Sequence, residues 1–180
     1  MLSILKEENT QIDYKNIMVL DSSNIQPEEW KIIAKEAFTA MNNYDGIIIT
    51  HGTDTMAYTA SMMCFMIQNP TIPIVFTGSQ LPITHPLTDA VLNLKCALAM
   101  AKTNHQGIFV AFDRKIILGC RAVKVRTSGF TAFESINLKS VGHINANGLI
   151  IRNEVLTHYT KPPRLVLDLS LIHISEPTRP

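Results

Sequence analysis

Four short runs of this chain are apolar at every position rather than at every second one. They are residues 17–20 (Ile-Met-Val-Leu), 46–49 (Gly-Ile-Ile-Ile), 72–76 (Ile-Pro-Ile-Val-Phe) and 107–112 (Gly-Ile-Phe-Val-Ala-Phe). A strand with one wet face alternates apolar and polar residues. A strand that is apolar throughout is covered on both faces, as in a parallel sheet between two helix layers. The intervening stretches carry a helical period instead. Pro27 suits the first position of a helix, and Trp30, Ile33, Ala34, Ala37, Phe38 and Met41 then make one apolar stripe. Residues 54–68 read as a second helix, stopped by Asn69 and Pro70. Pro86 opens a third, with Ala90, Leu94, Ala97, Leu98 and Ala101 on its apolar face. Strand–helix–strand alternation of this kind specifies an α/β fold. The expectation is a doubly wound, flavodoxin-like parallel sheet in three layers, α/β/α.

Beyond Phe112 the rhythm changes. Residues 115–118 and 121–125 read as a hairpin or a pair of loops, and residues 127–153 as small β pieces and loops. Pro162 and Pro163 read as a linker, and residues 164–169 as a strand that begins something new. The expected organisation is an α/β domain over residues 1–161, a linker and the start of a second domain over 162–169, and a foreign tail over 170–180.

Of the 180 residues, 46% are hydrophobic and 17% are charged, and the net charge is +1. A chain so rich in core formers is not disordered. The charge balance lacks the basic footprint of a nucleic-acid binder. No apolar run reaches the roughly 18 residues of a membrane span, and the first residues carry no basic-then-apolar secretory pattern. The expectation is a soluble cytoplasmic protein with neither nucleic-acid nor membrane partners. Cys64, Cys96 and Cys120 form no C-x-x-C, and the six histidines form no H-x-x-x-H. The thiols therefore read as reduced, buried small hydrophobes, and no metal site is expected.

Ligands of open parallel sheets bind beyond the carboxyl ends of the strands. The first three strands are succeeded by Asp21-Ser22-Ser23-Asn24, by Thr50-His51-Gly52-Thr53-Asp54-Thr55 and by Thr77-Gly78-Ser79-Gln80 in turn. Turns so rich in hydroxyls and small residues make a polar pocket suited to a small carboxylate or phosphate. Each piece has a plainer reading as well. Thr53 and Asp54 stand where a helix cap belongs, although Met56 and Ala57 leave the capping box incomplete. Ser22 and Ser23 suit a turn. No G-x-x-x-x-G-K-[ST], G-x-G-x-x-G or G-x-S-x-G occurs, which counts against nucleotide binding and serine hydrolase chemistry. Lys124 lies in the basic stretch 121–126, which reads either as a solvated surface or as a lysine drawn into the pocket to take a proton from a hydroxyl. Thr53, Lys124 and Asp54 would then form a hydroxyl–base–carboxylate set.

The run Ile47-Ile48-Ile49-Thr50-His51-Gly52-Thr53-Asp54-Thr55-Met56 resembles the signature of the bacterial-type L-asparaginases. Asp21 to Asn24 is similar to that family's substrate-binding turn, and Thr77-Gly78-Ser79-Gln80-Leu81-Pro82 to its third pocket loop. Gly119 to Thr127 is similar to the segment with its catalytic lysine. The resemblance runs from about Ile17 to about Asp168, and its wording resembles the cytoplasmic, type I branch. It implies hydrolysis of L-asparagine to L-aspartate and ammonia, without cofactor, by a parent that is a dimer or tetramer. It implies that Thr53 is one of two catalytic threonines, deprotonated by Lys124. Asp54 would meet the substrate ammonium and help hold the lysine. Ser22 would bind the substrate carboxylate, Ser23 would line the same end, and the backbone at Ser79 would hold the amide. His51 stays open under the resemblance, with fixing the turn as one reading of it. The family also begins with a strand ending in T-G-G-T-I, which carries its primary threonine, and no T-G-G-T occurs in this chain. An inactive chain is therefore expected, with unpaired strand edges in the middle of the sheet. The related readings are an amidotransferase subunit that resembles asparaginases and a module that binds aspartate or asparagine without turning it over.

Overall fold

The computed structural model describes residues 5, 10–156 and 158–167. The first regular helix, α1 (Pro27–Ala40), begins where proline directs it, and the Glu29 carboxylate accepts the Gln26 N–H at 2.8 Å. Its buried face is Ile33, Ala34 and Ala37. The stripe read from the sequence is the packed one.

The chain then builds β1 (Ile47–Thr50), α2 (Met56–Met66), β2 (Ile67–Gln68), β3 (Pro73–Thr77), α3 (Ala90–Ala101) and β4 (Gly107–Phe112). Strands β1, β3 and β4 are parallel neighbours, with Ile47 opposite Ile74 and Val75 opposite Phe109. All of β3 and β4 is buried. Because strand side chains alternate between faces, Ile74, Phe76, Ile108, Val110 and Phe112 pack beneath α1 and α2. Val75, Phe109 and Ala111 pack beneath α3, against Ala97 and Met100. The three-layer α/β/α expectation is met.

The sheet is mixed rather than all parallel. Asp113 and Arg114 both have positive φ, 46° and 60°. They make a two-residue turn that folds β5 (Lys115–Leu118) back against β4, Phe112 opposite Lys115. A turn that short joins only antiparallel strands. The sheet continues antiparallel through β8 (Gly142–Asn145) and β9 (Gly148–Ile151), so its order is β1-β3-β4-β5-β8-β9. Residues 115–118 and 121–125 are not each other's partners. The second stretch contains β6 (Ala122–Lys124), which pairs antiparallel with β7 (Phe133–Ser135) outside the main sheet. Residues 164–165 form β10, which pairs with β2, and Leu165 and Leu167 pack on the core beneath α1 and α2. Residues 168–169 of the expected last strand, and the tail 170–180, lie outside the described residues.

Residues 17–20 are not a strand. They carry no ladder, and Val19 is 89% exposed. An apolar extended run becomes a strand only beside a partner, and β1 has a ladder partner on one edge only among the described residues. The second helix starts at Met56 rather than at residue 54. The third starts at Ala90, because two turns, His85 N–H to Pro82 O and Thr88 N–H to His85 O, occupy the stretch around Pro86. No described helix is long and apolar enough to cross a membrane.

Candidate active site

Parallel neighbours end on the same side of a sheet, so the turns after β1 and β3 meet there. The His51 N–H donates to Thr77 O at 2.9 Å. The two turns approach so closely that a Cβ on Gly78 would lie 2.3 Å from His51 O. Gly78→Ala therefore has to drive the β1 and β3 turns apart. It is expected to cost about 1–3 kcal/mol in a urea titration, the usual penalty for overpacking.

Thr53 and Asp54 do not cap α2. The cap position is Thr55, whose hydroxyl donates to Ser22 O at 2.6 Å instead of bonding the helix. That leaves Thr53 and Asp54 free for another partner, and the partner is Lys124 at the end of β6. Its ammonium donates to Thr53 Oγ1 at 2.9 Å and to Asp54 Oδ1 at 2.6 Å. The Lys124 side chain is 13% exposed and that of Asp54 is 65% exposed. The lysine is thus covered along its stem while its carboxylate partner faces water, unlike a solvated basic surface. The Thr53 hydroxyl in turn donates to Gln80 Oε1 at 3.0 Å. The Gln80 amide nitrogen is clamped by Thr127 O at 3.1 Å and Gly129 O at 3.0 Å. An open groove of about 490 Å³ adjoins Asp54 and Lys124, with Tyr58, Ser61 and Arg126 among its walls.

Ser22 is buried, in a 3-10 turn over Ser22–Asn24, and its Oγ lies where a Cβ on Gly52 would come within 2.6 Å. Ser23 is exposed, and its N–H donates to Asp21 Oδ1 at 2.9 Å. That bond from Ser23 holds the Asp21 carboxyl below its ordinary range. Thr55 thereby ties the serine turn to the β1 turn. Ser79 is half-buried between Gly78 and Gln80. None of Ser22, Ser23 and Ser79 is among the walls of the groove beside Lys124. His51 Nδ1 bonds Gly52 O at 2.7 Å, and its ring edge meets Phe76 with centroids 6.2 Å apart. Burial pushes its pKa down, and the bond to Gly52 O opposes this. These two contacts seat the ring between the β1 turn and Phe76.

Sequence reading missed the support beneath the third turn. The Asp89 carboxylate accepts the Gln80 N–H through both oxygens at 3.0 Å, and the Leu81 N–H at 3.1 Å. Asn93, 1% exposed, donates to Gly78 O at 2.9 Å and to Asp89 Oδ2 at 3.0 Å, and it accepts the Asp113 N–H at 2.9 Å. A signal did exist. Asp89 and Asn93 are four apart, hence on one helix face, and Asn93 interrupts an otherwise apolar stripe. Among the described residues, no group of three or more His, Cys, Asp or Glu side chains is placed to hold a metal ion.

Residues 2–157 match the family described as Asparaginase, N-terminal. The chain is 44% identical to the L-asparaginase of Thermococcus kodakarensis over 177 residues, covering 97% of this chain and 53% of that protein. The solved structure of the thermostable L-asparaginase from that organism superposes with a TM-score of 0.88 at 43% identity, over 92% of this chain and 51% of the other. L-asparaginase 1 of Escherichia coli K12 is 42% identical over 67% of this chain and 36% of its own length. A glutamyl-tRNA(Gln) amidotransferase subunit of Methanosphaera stadtmanae is 36% identical over 93% of this chain and 41% of its own length. The chain spans about half the length of the first of these relatives and less of the others. With the family match covering most of its length and the turn–lysine geometry in place, this chain belongs to the asparaginase family, resembling that family's N-terminal domain and its type I members.

Proposed function

We propose that the protein carrying these residues hydrolyses L-asparagine to L-aspartate and ammonia, using a threonine hydroxyl activated by lysine and no cofactor. The observation that carries this reading is the Lys124 ammonium, hydrogen-bonded at once to Thr53 Oγ1 and Asp54 Oδ1. A hydroxyl needs a base within hydrogen-bond reach to become a nucleophile, and the base needs a group that orients it. In the arrangement seen, the lysine donates and the Thr53 proton points to Gln80. Turnover thus begins with Lys124 giving up a proton and the threonine hydroxyl rotating toward the freed amine. The threonine oxygen adds to the carboxamide carbon as its proton passes to Lys124. The tetrahedral adduct expels ammonia, which takes that proton, and water hydrolyses the ester to L-aspartate.

Asp54, exposed on one side, receives the substrate ammonium. Ser22 and Ser23 take the substrate carboxylate, and the Ser79 backbone takes the amide. The working form is a cytoplasmic homo-oligomer acting on a small amino acid. The 180 residues alone release ammonia slowly or not at all, since Thr53 acts in them without the primary T-G-G-T threonine that the resemblance gives it as a partner. A second reading, an amidotransferase subunit that supplies ammonia, is supported by the 36% identity to the Methanosphaera stadtmanae protein.

Ammonia release and calorimetric binding of L-aspartate to the purified chain test the proposal together. The expected result is aspartate binding that Thr53→Ala and Asp54→Ala weaken, with release near background. Turnover of L-asparagine lost in Thr53→Ala would place the chemistry wholly within this chain. Neither binding nor turnover, in a chain that melts cooperatively, would sink the reading. Retention of transfer RNA by the chain would favour the second one.

A further inference from the structure

The sequence separates Cys64 from Cys120 by more than 50 residues, and both read as inert thiols there. The fold brings them together. Cys64 lies in the last turns of α2, and Cys120 is the middle residue of a 3-10 turn, Gly119–Arg121, that packs on α2. The fit is close, since a Cβ on Gly119 would lie 3.0 Å from Cys64 Sγ and 3.1 Å from Ala60 O. The absent side chain at Gly119 is what lets the turn settle onto the helix beside Cys64. Cys64 is half-buried, with its Sγ 3.3 Å from Ala60 O, and Cys120 is exposed. The Cys64 S–H donates to Ala60 O, and the two thiols are near enough for each to shift the other's ionisation. Neither takes part in the chemistry proposed above.

We propose that Cys64 and Cys120 form a peroxide-oxidisable dithiol, with Cys120 as the attacking thiol and Cys64 as the resolving one.

The roles follow from exposure and from the opposite directions in which the two thiols are shifted. Interaction with the neighbouring Cys64 thiol, helped by the charge of Arg121 and opposed by burial, pushes the Cys120 thiol down to about 6. The same contact with Cys120, together with burial, holds Cys64 in its protonated form. An exposed thiolate beside a covered thiol is the arrangement expected of a reactive cysteine with its resolving partner. The Cys120 thiolate attacks one oxygen of hydrogen peroxide and displaces hydroxide, which leaves as water, giving a sulfenic acid. The Cys64 sulfur then attacks the Cys120 sulfur, its proton departs with the sulfenic oxygen as a second water, and a disulfide forms. Two thiols are oxidised and one peroxide is reduced. The bond would tie α2, which follows Thr53 and Asp54, to the turn that leads into β6 and Lys124. Cys96 is an internal control, because it is 2% exposed and packs on the opposite sheet face among Ala97, Met100 and Phe109.

The full chain, purified under reducing conditions, is treated with hydrogen peroxide and read by intact mass and peptide mapping. The expected result is the loss of two hydrogens, one cross-linked peptide joining Cys64 to Cys120, and Cys96 still alkylatable. Before oxidation, iodoacetamide at neutral pH should label Cys120 roughly tenfold or more faster than Cys96. In Cys64→Ser, the disulfide should vanish and Cys120 should stop at a sulfenic acid that dimedone traps. The proposal is overturned if Cys120 in the unsubstituted chain reacts no faster than in the urea-unfolded chain. It is equally overturned if the disulfide found involves Cys96 or a second molecule.

Discussion

Lys124→Arg is expected to lower kcat for ammonia release from L-asparagine by about 10²–10⁴-fold, the range that a positioned base contributes. The measurement belongs in the protein at the length of its relatives. Arginine keeps the positive charge and can still bond Asp54, but it does not lose its proton at working pH. The substitution therefore separates two roles. If Lys124 serves only as a fixed charge beside Asp54, Arg rescues most of the rate. If it takes the threonine proton, Arg is as inactive as Lys124→Met, which keeps the apolar stem and removes the amine. Neither change should move the melting temperature much. The ion pair has one partner 65% exposed, and pairs screened by solvent in this way contribute about 0–1 kcal/mol. A large fall in rate with an unmoved melt identifies a chemical role, whereas a fall in both identifies a structural one.

Asn93→Ala is expected to do the reverse. It removes three hydrogen bonds from a residue that is 1% exposed, leaving Gly78 O and the Asp113 N–H without that partner. Orphaning a buried backbone group costs about 1–3 kcal/mol, and with both groups here part-buried about 3 kcal/mol in total is the expectation. For a chain of this size that is a fall of roughly 6–12 °C in Tm, at about 2–4 °C per kcal/mol. The loss should also loosen the third turn, because Asp89 would keep Gln80 and Leu81 but lose its own tie to Asn93. L-aspartate affinity should then fall together with stability. A melt within about 1 °C of the unsubstituted chain would show that Asn93 is not the pin its geometry implies.

These two residues differ in how far the sequence exposed them. Lys124 could be nominated, though composition alone favours a solvated surface over a buried base. Only β6 pairing with β7, apart from the main sheet, carries its ammonium to Thr53 and Asp54. Asn93 was passed over because it sits inside a helix whose apolar stripe explained itself. Its partners, Gly78 and Asp113, come from two different strand ends, and no local pattern joins them. The misread elements share a cause as well. Residues 17–20 have the composition of a strand, but a strand is a relation between two segments. Pro86 has the preference of a helix start, but Asp89 and two turns hold the chain back to Ala90.

The chain carried its local physics openly. Uninterrupted apolar runs required strands covered on both faces, and a 3.6-residue period gave α1 its buried side. The turn chemistry after β1 and β3 marked where polar groups would gather. Each of these depends on residues a few positions apart, and nearest neighbours decide it. Tertiary structure decided what depends on distant segments meeting. It set the mixed sheet beyond the two-residue turn at Asp113 and Arg114. It brought Lys124 onto Thr53 and placed Asn93 beneath the third turn. It also laid Cys120 against Cys64, because a 3-10 turn with no side chain at Gly119 can rest on the face of α2.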